Sequence, residues 1–125
     1  VLRAVHFFEE TERAEREYNL LAENKIELFM REVVNSGKSS YMYLQNINVN
    51  NGFLKQPLSV ELALCEKLIS DKGAFRVHGG GFGGTILVFV KKEFTESFIE
   101  SYKHCMKNDA CIKLKVRNSG GLVII

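Results

Sequence analysis

The amino-acid sequence predicts one α+β domain over residues 1–125, a two-layer sandwich in which amphipathic helices cover an antiparallel four-stranded sheet. Three observations carry that expectation. Helical periodicity dominates the first half of the chain, a β-branched run at 85–90 shows no helical stripe, and residues 112–117 alternate strictly between apolar and basic side chains. At 125 residues the chain is long enough to bury a core and too short for two domains.

The series Phe7, Thr11, Ala14, Tyr18 and Leu21 steps by four and three, with Glu and Arg between. The first helix is therefore expected to bury that stripe and solvate its charges. Asn24 followed by Glu27 resembles a capping box opening a second helix, whose stripe is Ile26, Phe29, Met30, Val33 and Val34 and which Gly37 loosens or ends. Residues 39–46, poor in charge and rich in aromatic and amide groups, predict a further helical turn or two facing another surface. Asn48, Asn50, Asn51 and Gly52 predict an exposed connection. Pro57 stands where a first helical residue would, and Leu58, Leu62, Cys65, Leu68 and Ile69 predict a third helix over 58–72, stopped by Gly73 in the left-handed conformation. Strands at 74–78 and 85–90 follow, then a helix marked by Phe94, Phe98, Ile99, Tyr102, Cys105 and Met106. The alternation at 112–117 predicts a half-buried third strand, and Asn118-Ser119-Gly120-Gly121 a turn into a fourth at 122–125.

Composition narrows the function. With 17 basic and 15 acidic side chains the net charge is +2, split as −2 over residues 1–62 and +4 over the remainder. That balance excludes a strongly basic nucleic-acid surface and leaves room for a local anion site. No window approaches the roughly 18 uncharged apolar residues of a membrane-spanning helix. The first residues include Arg3 and no small-residue cleavage site, so neither a membrane partner nor a secretory signal is expected. Three cysteines, Cys65, Cys105 and Cys111, fit neither a disulfide framework nor paired metal ligands, and point to a reducing cytoplasm. Without an initiator Met, the chain is expected to be a piece of a longer protein.

The most informative stretch is Arg76-Val77-His78-Gly79-Gly80-Gly81-Phe82-Gly83-Gly84-Thr85. Each glycine orders more backbone entropy than Ala, by roughly 0.5 to 1 kcal/mol. Glycines also let successive main-chain N–H groups face one point at close range, which suits a phosphate. Gly79, Gly81 and Gly84 satisfy G-x-G-x-x-G, but a dinucleotide fingerprint opens a helix, and the residues after Gly84 are strand-like. Thr85 and Ile86 replace the Lys and Ser/Thr of a P-loop. The loop also lacks the H-R-D and D-F-G partners of a protein kinase. A ligand loop and a glycine hairpin against which another backbone packs both remain open at this point.

Residues 76–86, Arg-Val-His-Gly-Gly-Gly-Phe-Gly-Gly-Thr-Ile, resemble the third sequence motif of galactokinases, members of the GHMP kinase superfamily. Asn35-Ser36-Gly37-Lys38-Ser39-Ser40 with Tyr43-Leu44-Gln45-Asn46 resembles the helix preceding that motif, as Leu62-Ala63-Leu64 resembles the next. Asn118-Ser119-Gly120-Gly121 with its apolar end resembles the family's C-terminal hairpin, so the similarity runs from about residue 5 to the end. The resemblance implies the C-terminal domain alone, a ferredoxin-like α+β unit with added helices. Galactokinases transfer the γ-phosphoryl group of ATP to the 1-hydroxyl of galactose with Mg²⁺, in a cleft between two domains. Their sugar-reading motif, ATP-wrapping loop, catalytic Asp and Arg belong to the N-terminal half, and none is in this chain. The expected partners are therefore an N-terminal kinase domain and a sugar, with ATP and Mg²⁺ in the intact enzyme and neither expected on this domain by itself. Gly79, Gly80, Gly81, Phe82, Gly83 and Gly84 would form one wall of the cleft, with no catalytic residue in this chain.

Further candidates are weaker. His78 is placed to touch sugar or phosphate, or to hydrogen-bond locally within its strand. Arg76 is placed to reach an anion, or to form a salt bridge. Ser36, Ser39 and Ser40 could line the cleft or be solvated. His104, Cys105 and Cys111 lack a fourth ligand and two are adjacent on one helix, so no metal site is expected. Lys113, Lys115 and Arg117 form the solvated face of the predicted strand. Two competing functions remain: another small-molecule kinase of the superfamily, and a stand-alone regulatory module whose loop holds an effector.

Overall fold

A computed structural model describes residues 1–48, 56–107 and 111–116. The element order is α1 (Leu2–Ala22), α2 (Ile26–Ser39), a π-helical turn (Ser40–Leu44), α3 (Pro57–Ile69), β1 (Gly73–His78), β2 (Thr85–Val90), a 3₁₀ turn (Lys92–Phe94) and α4 (Thr95–Met106). The two strands pair antiparallel from Gly73↔Val90 to His78↔Thr85.

This corrects the expected architecture. Among the described residues the sheet has two strands, not four, and helices lie on both of its faces. Phe75, Ile86, Val88 and Val90 pack with Cys65, Ile69, Phe98 and Tyr102 of α3 and α4. Ala74 and Phe89 face the other way, against Phe29 and Val33 of α2. Each strand is thus covered on both sides, which is why 85–90 carries no alternation. The expected third strand is absent: residues 112–116 form no strand, and Ile112 stays 78% exposed. Alternation makes a strand only where an edge accepts its ladder and a face covers its apolar set, and here Leu114 and Val116 are also exposed. The terminal hairpin expected at 118–125 lies outside the described residues.

The first helix presents the opposite face from the one expected. Its inward stripe is His6, Glu10, Arg13, Glu17 and Leu20, while Phe7 and Tyr18 are 65% and 72% exposed. Both sets recur at helical spacing. The choice falls to the polar set because α2 and β1 offer it Ser36, Ser39 and Arg76 as hydrogen-bonding partners.

Asn24 does not open α2; it closes α1. It lies in the left-handed region at φ 56°, the Asn24 amide donates to Leu21 O at 3.0 Å and the Lys25 amide to Leu20 O at 2.8 Å. That pair of bonds is a Schellman closure with Asn in the position usually held by Gly. Gly37 neither loosens nor ends α2, which runs on to Ser39. A Cβ at Gly37 would lie 3.1 Å from Arg76 Cβ and 3.3 Å from Phe75 O, so its role is to let α2 approach β1 closely. The third helix ends at Ile69 with Ser70 taking the left-handed step, not Gly73.

Cys65 is buried on α3, and burial, with Glu61 and Cys111 nearby, pushes its thiol up to about 12. Cys105 is exposed. Because the thiolate is the nucleophile, iodoacetamide at pH 8 should label Cys105 in the native protein and leave Cys65 unmodified, as read by peptide mass spectrometry. Labelling of Cys65 at a comparable rate would contradict the packing of α3 against α4.

Candidate functional site

The glycine segment is the turn that joins the strands. Pairing ends at His78↔Thr85, so residues 79–84 form a six-residue hairpin loop. Gly79 (φ 64°), Gly81 (φ 75°), Phe82 (φ 53°) and Gly83 (φ 94°) all lie in the left-handed region. For Phe82 that conformation is strained, since a bulky L-residue avoids positive φ. The loop stands open: every residue in it is exposed except Gly81, which is half-buried. Of its amides, that of Phe82 is the one with a backbone acceptor among the described residues, Asn46 O at 2.5 Å.

Asn46 forms the floor. Gln45 turns left-handed at the end of the π-helical turn and delivers Asn46 under the loop, while Ile47 anchors the segment against Leu58 and Val77. Asn46 is fully buried. Its Oδ1 accepts a hydrogen bond from Ser40 Oγ at 2.9 Å, and its Nδ2 is buried with no partner.

A second polar cluster ties α1 and α2 to β1. Arg76 Nη1 donates to Glu10 Oε1 at 2.5 Å and to Ser36 Oγ; Ser36 Oγ in turn donates to Glu10 Oε1, and Arg13 Nη1 to Glu10 Oε2. Burial works against the Glu10 carboxylate, but the bonds from Ser36 and Arg76, the Arg76 charge and the bond from Arg13 outweigh it and hold Glu10 below its ordinary range. Glu17, about two turns further along α1, is pushed up by burial and by the charges of Glu10 and Glu32, against the pull of Arg76 and Arg13. Its Oε1 is buried without a partner. His6 Nδ1 meets Ser39 Oγ at 3.0 Å.

The candidates named from sequence therefore separate into two groups. The six loop residues stand together in the open, with His78 exposed at the loop's base. Ser36 and Arg76 are brought together, but as part of the Glu10 cluster; fully buried Ser36 is no cleft-lining residue, and the Arg76 guanidinium is committed to Glu10 and Ser36. Ser40 is linked to the loop through its hydrogen bond to Asn46. Sequence reasoning missed Asn46 as a site residue, and Glu10 as the acceptor for Arg76. Asn46 gave a faint signal: an amide closing a charge-free aromatic run at 39–46. Glu10 gave none among its many Glu and Arg neighbours.

A cavity of about 220 Å³ lined by Leu68, Ile69, Lys72, Val90, Phe94 and Ser101 lies at the far end of the hairpin. Five residue steps along β2, about 16 Å, separate it from the loop, so it is not part of this site. Among the described residues no helix is long and apolar enough to cross a membrane, and no group of three or more His, Cys, Asp or Glu is placed to hold a metal ion. Set against protein-family models, curated proteins and solved structures, the chain matches none of them, so its functional reading rests on the glycine motif and the geometry of its loop.

Proposed function

We propose that this chain is the C-terminal domain of a galactokinase-like small-molecule kinase, with residues 79–84 forming one wall of the cleft in which the γ-phosphoryl group of ATP passes to the 1-hydroxyl of galactose. The observation that carries the reading is Gly80. A Cβ there meets nothing within 4 Å, and its φ is outside the left-handed region. Neither packing nor backbone conformation within the chain calls for glycine at that position; a ligand approaching the main chain does.

In this reading the loop supplies main-chain donors and no base or nucleophile. Phosphoryl transfer depends mostly on positioning and on electrostatic stabilisation of the equatorial oxygens, which fixed N–H groups provide without reorganisation. ATP and Mg²⁺ belong to the intact two-domain enzyme in this reading. The outward apolar stripe of α1, with Phe7 and Tyr18 exposed, is the kind of surface a covering domain buries, and lends the two-domain account further support.

Titration of ¹⁵N-labelled chain with MgATP tests the proposal. The amides of residues 79–84 should shift with a Kd of about 1 mM or weaker, since half a cleft retains little of the binding surface. Gly80→Ala should leave the thermal midpoint unchanged and weaken binding about tenfold, the loss of one charge-assisted contact. The chain by itself should not phosphorylate galactose. Loop amides that stay still, or measurable turnover by this chain, overturn the proposal; submicromolar binding of a small effector would replace it with the stand-alone module.

A further inference from the structure

The fully buried carboxamide of Asn46 has its acceptor used and its donor idle: Oδ1 takes the Ser40 hydroxyl at 2.9 Å, while Nδ2 has no partner. An unpaired buried NH₂ is costly and uncommon in a folded protein. It also lies directly beneath the loop. A Cβ built on Gly81 would fall 2.7 Å from Asn46 Nδ2 and 2.8 Å from Asn46 Cβ, so the Gly81 main chain rests on the carboxamide. One residue further on, the Phe82 amide is held by Asn46 O at 2.5 Å, in a left-handed conformation that phenylalanine avoids. Asn46 therefore imposes a strained turn through its main chain while keeping a side-chain donor unpaired against that same turn.

We propose that Asn46 is the positioning residue of the glycine loop, and that its Nδ2 becomes hydrogen-bonded to a loop carbonyl when the loop closes on an anionic oxygen cluster. This rests on the phosphate reading of residues 79–84. The free loop leaves the donor idle; the occupied loop satisfies it, so the pairing favours the occupied shape and tightens binding by that difference. Gly81 is glycine both because its φ is 75° and because a Cβ there would overlap the Asn46 carbonyl oxygen and crowd the carboxamide.

The test is a titration of the full 125-residue chain with inorganic tripolyphosphate, following the backbone amides of residues 79–84 and the Asn46 side-chain NH₂ resonances together. The NH₂ pair is expected to move with the same midpoint as the loop amides. Asn46→Asp, which keeps the acceptor for Ser40 and removes the donor, is expected to raise that midpoint about tenfold. Loop amides that respond while the Asn46 NH₂ stays still overturn the role of Asn46 and leave the phosphate reading standing, and so does an Asn46→Asp chain that binds like the parent. Loop amides that never respond overturn the phosphate reading and this inference with it. The NH₂ measurement uses the unsubstituted chain, so it decides the matter even if Asn46→Asp fails to fold.

Discussion

Gly73→Ala is expected to lower stability by about 3 kcal/mol or more, at the upper end of what overpacking costs. The added Cβ would sit far inside van der Waals contact distance of the Phe89 carbonyl oxygen, with the Phe89 carbonyl carbon at 3.0 Å and Val90 Cα at 3.1 Å. All three atoms belong to the main chain of the paired strand, so no side-chain rotation relieves the overlap. Nor can the strand withdraw. Phe89 is held from one side by an edge-on contact with Phe29, ring centroids 5.3 Å apart, and Val90 packs into the α3/α4 core on the other. At roughly 4 °C per kcal/mol for a domain of this size, the thermal midpoint should fall by about 12 °C. Circular dichroism melts of Gly73→Ala beside Gly80→Ala make the measurement, because the second adds the same methyl group where nothing stands within 4 Å. Equal midpoints in the two variants would mean that the Gly73↔Val90 register is wrong.

The contrast between those glycines marks where sequence reasoning succeeds and where it stops. The β-hairpin is legible because Thr85 to Val90 are mostly β-branched and because five glycines in six positions can only be a turn. The helices α2, α3 and α4 are legible because each carries one apolar stripe with no rival set at the same spacing. The first helix carries two, and periodicity cannot choose between them; Ser36, Ser39 and Arg76 decide it, residues distant in sequence whose convergence only the fold creates. The four-stranded sheet failed for a related reason: alternation at Ile112, Leu114 and Val116 describes a strand that has an edge to join, and nothing local reports whether one exists. The loop was recognisable as a candidate site, but its floor was not. Asn46 reaches it through a π-helical turn and a left-handed Gln45, two local departures that no helical pattern encodes.

Glu10→Gln and Glu17→Gln should change stability in opposite directions, although both remove one carboxylate from the same stripe of α1. Glu10 accepts bonds from Ser36, Arg13 and Arg76, so Glu10→Gln leaves the buried Arg13 and half-buried Arg76 guanidinium groups short of their counter-charge and should cost about 2 to 3 kcal/mol at pH 7. Glu17 has a buried oxygen with no partner and repulsion from Glu10 and Glu32; Glu17→Gln should be neutral or stabilising by up to about 1 kcal/mol. The pH dependence separates them further. Glu10 is held below its ordinary 4.5, so between the two values the unfolded chain binds the extra proton. Its contribution is complete above pH 4.5 and is lost as the pH falls through the folded value. Glu17 is raised above 4.5, so its contribution is complete below pH 4.5 and is lost as the pH climbs through its folded value. Urea unfolding at intervals from pH 3 to 7 should therefore show Glu10→Gln without part of the parent's acid-side loss, and Glu17→Gln without part of its decline above pH 4.5. Parallel profiles for the parent and Glu10→Gln below pH 4.5 would mean that Arg76 does not hold Glu10. In that case α1 would not be fixed to the strand that carries the glycine loop, and the loop would lose the rigid base that the proposed site requires.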